Sequence, residues 1–302
     1  MEKVSSDVAI IIINYNSTGF TLDCVKSIVS QTSSLISYQI IIVDNASRPD
    51  EVERLRSLEG HANLQTVYSK ENLGFGRGNM LGAEKANSEY LFFLNNDCVL
   101  LNDCLAILKG FCDKNALVGL CGAQLYSEKH ERIRSFGYLP TPALKFLGPG
   151  VLRLFAPQRY PNREKQYYEP VKVDLVSGSG LFFRTSAFRE IGGFDPNLFF
   201  YCEEEDLGQR LRNNGLGVYF VPEAKYIHFI GGSSTENLVM LREFYISLMY
   251  FFRKHNSKIS YFFLKLLYVF KFLRRSFRDK KYFRFALFIL KGAPMKYSLR
   301  YR

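Results

Sequence analysis

The run LFFLNNDCVL at residues 91–100 sets four apolar residues ahead of two amides and one carboxylate, Asn95, Asn96 and Asp97. A buried strand that ends this way delivers a single acid to the edge of a sheet. A hard divalent cation takes oxygen ligands and leaves room for substrate phosphate oxygens, so Asp97 with its amide neighbours suits a metal-diphosphate site. A plain turn after a core strand uses the same residue types, because Asn and Asp side chains bond their own backbone. A second acidic signal, Glu203, Glu204, Glu205 and Asp206, directly follows the aromatic run FFYC. The dipole of a helix favours acids in its first turn. Acids held beside aromatic surface also acquire a raised pKa and can serve as general base. His228 stands alone among apolar residues, the setting of a hydrogen-bonded core histidine unless a second ligand faces it. Asp97 is the candidate for that ligand.

The elements that must position these groups are legible as apolar runs. Residues 8–13 (VAIIII) and 40–43 (IIIV) read as strands buried on both faces of a parallel sheet, with a third strand at 64–68. Between them lie a helix capped by Ser17 or Thr18 and a short charged helix over 50–58. This rhythm predicts βαβ units with ligands bound beyond the carboxyl ends of the strands, where Tyr15, Asp44 and Asp97 converge. The stretch ENLGFGRGNM (71–80) offers glycines for close backbone approach and Arg77 for a phosphate, and serves equally as a glycine-rich helix start of structural purpose. Helix is expected over 101–114 and strand over 117–125. Residues 126–170, with six prolines, read as an irregular segment, either a lid or a floppy insertion. Residues 173–183 read as one apolar strand interrupted by SGSG, where something approaches the backbone closely. A last strand over 217–222 precedes His228.

At 302 residues and 47% hydrophobic, the chain has ample core material, which excludes a mostly disordered protein. The six cysteines form no CxxC pair and imply reduced thiols in a cytosolic compartment. Neither a signal peptide nor a membrane-spanning helix is expected. The net charge of +11 is concentrated: residues 241–302 hold 16 Lys and Arg against two acids, whereas residues 1–240 carry 24 against 27. This tail is helical in propensity, rich in Phe, Tyr and Leu, and breaks at Asn256 and Pro294. Its charges do not gather on one helical face. Basic residues with aromatics fit an anionic membrane surface or a nucleic acid; the density of Phe and Leu exceeds what stacking on bases needs and favours the membrane.

Taken in order, these blocks resemble the family 2 glycosyltransferases of the GT-A fold, and within them the bacterial rhamnosyltransferase-like group. The resemblance runs from about Val8 to Ser234, with FFRKH at 251–255 also similar. It implies an α/β fold, a Rossmann-like, mostly parallel sheet flanked by helices, with a C-terminal basic aromatic helical extension. Residues 1–240 would form the glycosyltransferase domain, 1–125 its nucleotide-sugar half and 126–240 its acceptor and catalytic half; residues 241–302 would be the membrane-associating region. The resemblance further implies that Tyr15 stacks on the nucleotide base, that Asp44 accepts a hydrogen bond from it, and that Arg77 and Asn79 line the pocket. Asn95 and Asp97, with Asn96 between them, stand in place of the family's DxD-type motif, Asp97 holding Mg²⁺ or Mn²⁺ and His228 adding a ligand. The family's catalytic Asp is Glu204 here, and its extra methylene keeps Glu203 and Glu205 in play. The implied activity is inverting transfer of a sugar from a nucleoside-diphosphate sugar, dTDP-rhamnose first, to a lipid-linked saccharide acceptor in O-antigen or other cell-surface polysaccharide synthesis. The place would be the cytoplasmic face of the cell membrane. Alternatives are a UDP-sugar-dependent transferase of the same fold, a sugar nucleotidyltransferase, and a non-catalytic membrane adaptor; residues 14–20 lack the basic loop that a nucleotidyltransferase needs.

Overall fold

The computed structural model describes residues 6–61, 63–229 and 238–301. Its first half is β1 (Ser6–Asn14), α1 (Thr18–Gln31), β2 (Tyr38–Asp44), α2 (Pro49–Leu55), β3 (Leu64–Tyr68), α3 (Gly74–Ala83) and β4 (Ser88–Leu94). These strands are all parallel, in the order β3-β2-β1-β4. β1, β2 and β4 are buried on both faces, with alternate residues serving two cores, while the edge strand β3 is half-exposed. Ile10, Ile12, Ile42 and Phe92 enter one, while Ile11, Ile41, Val43 and Phe93 enter the other. That is why the runs are continuously apolar rather than alternating.

The second half adds β5 (Cys98–Leu100), α4 (Cys104–Asp113), β6 (Val118–Tyr126), β7 (Phe136–Gly137), α5 (Pro142–Phe155), β8 (Val171–Val173), β9 (Leu175–Val176), β10 (Gly180–Arg184), α6 (Thr185–Glu190), α7 (Glu203–Asn213) and β11 (Gly217–His228). Beyond β4 the sheet turns mixed, because β10 runs antiparallel between β4 and β6 while β11 runs parallel to β6. The fold is α/β with helices on both faces of a curled central sheet.

Three local expectations are corrected. Residues 171–184 are three strands rather than one, since the SGSG turn ends β9 and β10 starts afresh in the main sheet. Residues 126–170 contain α5, started by Thr141, whose Oγ1 accepts from the Leu144 amide at 3.1 Å, and by Pro142 at its first turn. It kinks at Gly148, whose φ of 74° precedes Pro149, so the prolines shape a helix instead of forbidding one. The first amide of α1 is satisfied neither by Ser17 nor by Thr18: Thr18 N donates to Glu51 Oε2 at 2.8 Å, a cap supplied from α2.

The C-terminal helices α8 (Leu238–His255), α9 (Lys258–Ser276) and α10 (Lys281–Leu290) pack as a third core. Tyr245, Phe252, Phe272 and Phe285 are buried there with Leu139, Leu175, Leu198 and Cys202 of the preceding body. Much of the aromatic density in this stretch is thus spent on internal packing, although Ile259, Phe262, Phe263, Phe270 and Phe277 stay exposed. No helix of the described residues is long and apolar enough to cross a membrane. All six cysteines are free and buried.

Candidate active site

The sheet order reverses its direction of growth between β1 and β4, the position at which open α/β sheets bind ligands beyond their strand ends. The residues at these ends are wired together. Asn14, fully buried, donates through Nδ2 to Asp44 Oδ1 at 3.0 Å, and its Oδ1 accepts from Thr21 at 2.8 Å. Asn96 donates to Ser17 Oγ at 2.7 Å and to Thr21 Oγ1 at 3.0 Å, which fixes the corner after β4 to the start of α1. Asn45 accepts from the Leu73 amide at 2.9 Å and so ties the turn before α3 to the end of β2. Asp44 then opens on a cleft of about 350 Å³ lined also by Ser47, Arg56, Tyr68 and Lys70. Tyr15, which follows β1, is half-exposed. Asn14 carries this network, and sequence reading passed over it, although a polar residue closing so long an apolar run was the available signal.

On α3, Arg77 is partly exposed, 3.9 Å from Glu71, whereas Asn79 is buried and donates to the Phe75 carbonyl at 3.2 Å. Gly74, at φ 76°, abuts the Phe199 carbonyl too closely for any Cβ, and Phe75 N donates to that carbonyl at 2.9 Å. The close approach that its sequence predicts is made by the segment leading to the acidic helix.

Asp97 Oδ1 lies 3.2 Å from His228 Nε2, within ionic range but without hydrogen-bond alignment, and this oxygen is buried with no hydrogen-bond partner among the described residues. Together with Cys98 Sγ they form a group whose ligand atoms all lie within 4.8 Å of one another. An orphaned carboxylate oxygen facing an imidazole nitrogen is a donor pair that fits a divalent cation. Cys98 fits less well, because burial holds its thiol protonated and it faces the Ser179 carbonyl at 3.6 Å.

The acids at 203–206 divide into two kinds. Tyr201 and Cys202, just ahead of α7, both adopt left-handed backbone, φ 74° and 66°, a strained pair for residues with side chains. Burial raises the pKa of Glu203, Glu204 and Glu205; for Glu205, burial and the neighbouring Glu204 charge push it up to about 8. Glu203 Oε1 and Glu205 Oε2 are buried without hydrogen-bond partners among the described residues. Asp206 goes the other way. Burial would raise it, but a bond to His255 at 2.7 Å, Arg210 at 2.6 Å and Lys254 at 2.6 Å hold it down to about 2.

One loop joins the two corners. The Ser179 carbonyl accepts from the Asn95 amide at 2.9 Å, and a Cβ on Gly178 would stand 3.3 Å from Glu204 Oε2. The Asn95–Asp97 corner and the Glu204 carboxylate therefore border the same short loop, between β9 and β10.

The family model described as glycosyl transferase family 2 matches residues 9–192. The chain belongs to glycosyltransferase family 2. This glycosyltransferase is 27% identical over 201 residues to rhamnosyltransferase WbbL of Escherichia coli (strain K12), covering 64% of this chain and 73% of that protein. It is 46% identical over 56 residues to the N-acetylglucosaminyl-diphospho-decaprenol L-rhamnosyltransferase of Mycobacterium tuberculosis (strain ATCC 25618 / H37Rv), 18% of each chain. Among solved structures it superposes on GalNAc-T7 with UDP, GalNAc and Mn²⁺ at a TM-score of 0.60 and 17% identity, over 84% of this chain and 48% of that one. The glycosyltransferase spans about half of that neighbour, and the likeness establishes the GT-A fold.

The FFRKH segment at the end of α8 meets the site through Asp206. Lys254 Nζ also reaches Asp195 Oδ2 at 2.7 Å, and Tyr250 donates to the same oxygen at 2.8 Å. So α8 clamps both ends of the segment between Asp195 and α7. His255→Ala is expected to destabilise the glycosyltransferase by about 1–3 kcal/mol, the range for a buried charged group that loses a hydrogen bond, and to lower kcat for transfer more than it changes donor KM. An unchanged melting temperature and unchanged kcat would show that α8 does not position α7.

Proposed function

We propose that this protein is an inverting, divalent-metal-dependent glycosyltransferase that moves a sugar from a nucleoside-diphosphate sugar, rhamnose from dTDP-rhamnose first among them, to a lipid-linked glycan. The observation that carries this reading is the shared loop, with Asn95 on the Ser179 carbonyl and the Glu204 carboxylate against Gly178. A donor diphosphate and a proton acceptor need to face each other across one site, and a shared loop brings the two corners together. Asp97 and His228 would hold Mg²⁺ or Mn²⁺, which when bound supplies charge that stabilises a departing diphosphate. Tyr15, Asp44 and Arg77 would take the nucleotide, with the buried Asn79 supporting α3 behind them and Asn95 and Asn96 shaping the corner beside it. Glu204, with Glu203 and Glu205 as its neighbours, would accept the proton of the acceptor hydroxyl as that oxygen bonds to the anomeric carbon and the bond from that carbon to the diphosphate oxygen breaks. A rhamnosyl donor and a lipid-linked acceptor accord with the names of the rhamnosyltransferases it is similar to.

Residues 1–240 would act as the transferase domain and residues 241–302 would rest on an anionic membrane surface at the cytoplasmic face. Screening dTDP-, UDP- and GDP-sugars for thermal stabilisation with and without Mn²⁺ tests the reading. dTDP-rhamnose is expected to raise the melting temperature most, and more with the cation. Pyrophosphate release from a nucleoside triphosphate and a sugar phosphate would establish a nucleotidyltransferase instead.

A further inference from the structure

A cavity outside the site lies among the C-terminal helices. It has a volume of about 720 Å³ and is lined by Arg242 of α8, by Arg284, Phe285 and Phe288 of α10, and by Lys291 and Tyr297 beyond it. Lys280 and Lys281 stand on the same wall, which carries no acid among its lining residues. Among the described residues, no carboxylate pairs with Arg242, Lys280, Arg284 or Lys291. Four of these cations line one apolar-floored hollow without a carboxylate, and Lys281 beside them lies 2.9 Å from Asp279, so the hollow keeps a net positive charge that attracts an anion. The rim is equally unlike an ordinary protein surface. Leu287 and Tyr297 of its lining are 42% and 45% exposed, and Phe283 and Leu290 on the same helix, α10, are also exposed, so apolar and aromatic groups accompany the cations. Ring bodies at the level of lipid headgroups, with Lys and Arg reaching phosphates, are how a helix lies on a bilayer.

We propose that this hollow is the seat of an anionic phospholipid headgroup, so that α10 and the chain just after it, rather than the tail as a whole, dock the protein on a membrane. The inference rests on the reading of residues 241–302 as membrane-associating and narrows it to one site. The occupant follows from charge complementarity. A phosphate with attached acyl chains satisfies both the cations and the apolar floor, whereas a soluble phosphate satisfies only the cations. Phe285 and Ile289 face the third core, so α10 presents its opposite side, with Phe283, Arg284 and Leu287, to the surroundings.

The test uses the full chain and sedimentation with vesicles of phosphatidylcholine containing about one third phosphatidylglycerol. Each juxtamembrane cation contributes about fivefold to such partitioning, so Arg284→Gln combined with Lys291→Gln is expected to weaken binding roughly 30-fold. The charge-matched pair Lys258→Gln with Arg274→Gln, exposed on α9 and outside the hollow, is expected to change it less than threefold. Melting temperatures of both double variants establish that each is folded. Equal losses in the two pairs would overturn the site while leaving membrane association standing. No sedimentation of the unaltered protein would overturn membrane association itself. Stabilisation by inorganic pyrophosphate that is lost in the Arg284 and Lys291 pair, without vesicle binding, would replace the phospholipid with a soluble diphosphate.

Discussion

Asp97→Ala is expected to lower sugar transfer by on the order of 10²–10³-fold, the scale for removing one preorganised electrostatic stabiliser of a developing negative charge. The variant should remain folded, because Asp97 Oδ1 has no hydrogen-bond partner to lose among the described residues. Its backbone is held independently, the Asp97 carbonyl accepting from Phe229 N at 2.9 Å. Stabilisation of the protein by Mn²⁺ with nucleotide sugar should vanish together with transfer. Calorimetric titration separates the roles: lost cation response with intact folding supports the ligand assignment, whereas full turnover in the variant refutes it. His228→Ala should follow in the same direction with a smaller effect, because it removes a neutral ligand rather than a charge.

Glu204→Gln is expected to lower kcat for transfer by about 10²–10⁴-fold while leaving donor affinity within a few-fold, the pattern of a lost general base. Equal loss of donor binding would mark Glu204 as structural. The pH dependence carries a second signature. Burial raises all three glutamates, Glu205 up to about 8 with the Glu204 charge assisting, so these carboxyl groups release their protons above the ordinary 4.5. Because a base must be deprotonated, transfer should rise with pH along a limb displaced well above the usual carboxylate range. Neighbouring carboxylates titrate jointly, so the limb belongs to the group and not to one residue. Glu205→Gln should remove the part of the limb that extends to about pH 8. Stability runs the other way. A folded-state pKa above the unfolded one means that the folded chain holds a proton the unfolded chain releases, so the melting temperature should fall between about pH 4.5 and pH 8. In Glu205→Gln that decline should flatten, and an unflattened curve would remove Glu205 from the buried group.

The apolar runs at 8–13, 40–43 and 91–94 determined a parallel, doubly covered sheet, because only a strand buried on both faces tolerates a run with no alternation. Acidic and amide groups placed just after those runs determined where chemistry would lie, since strand ends open on the crevice. The tertiary structure alone decided which groups meet. Asp97 and His228 are separated by more than a hundred residues and face each other because β5 and β11 pair antiparallel, with His228 opposite Cys98. Nor could spacing along the chain distinguish Asp206 from the three glutamates beside it. Arg210 is one turn along its own helix, but Lys254 and His255 arrive from α8, and the His255 hydrogen bond with the Arg210 and Lys254 charges reverses the direction in which burial drives the carboxyl group. Composition exposed the basic aromatic character of the tail without showing that seven of its rings are buried in a core with Leu139, Leu175 and Leu198. Periodicity records how much apolar surface a segment carries; only packing decides whether another part of the chain covers it.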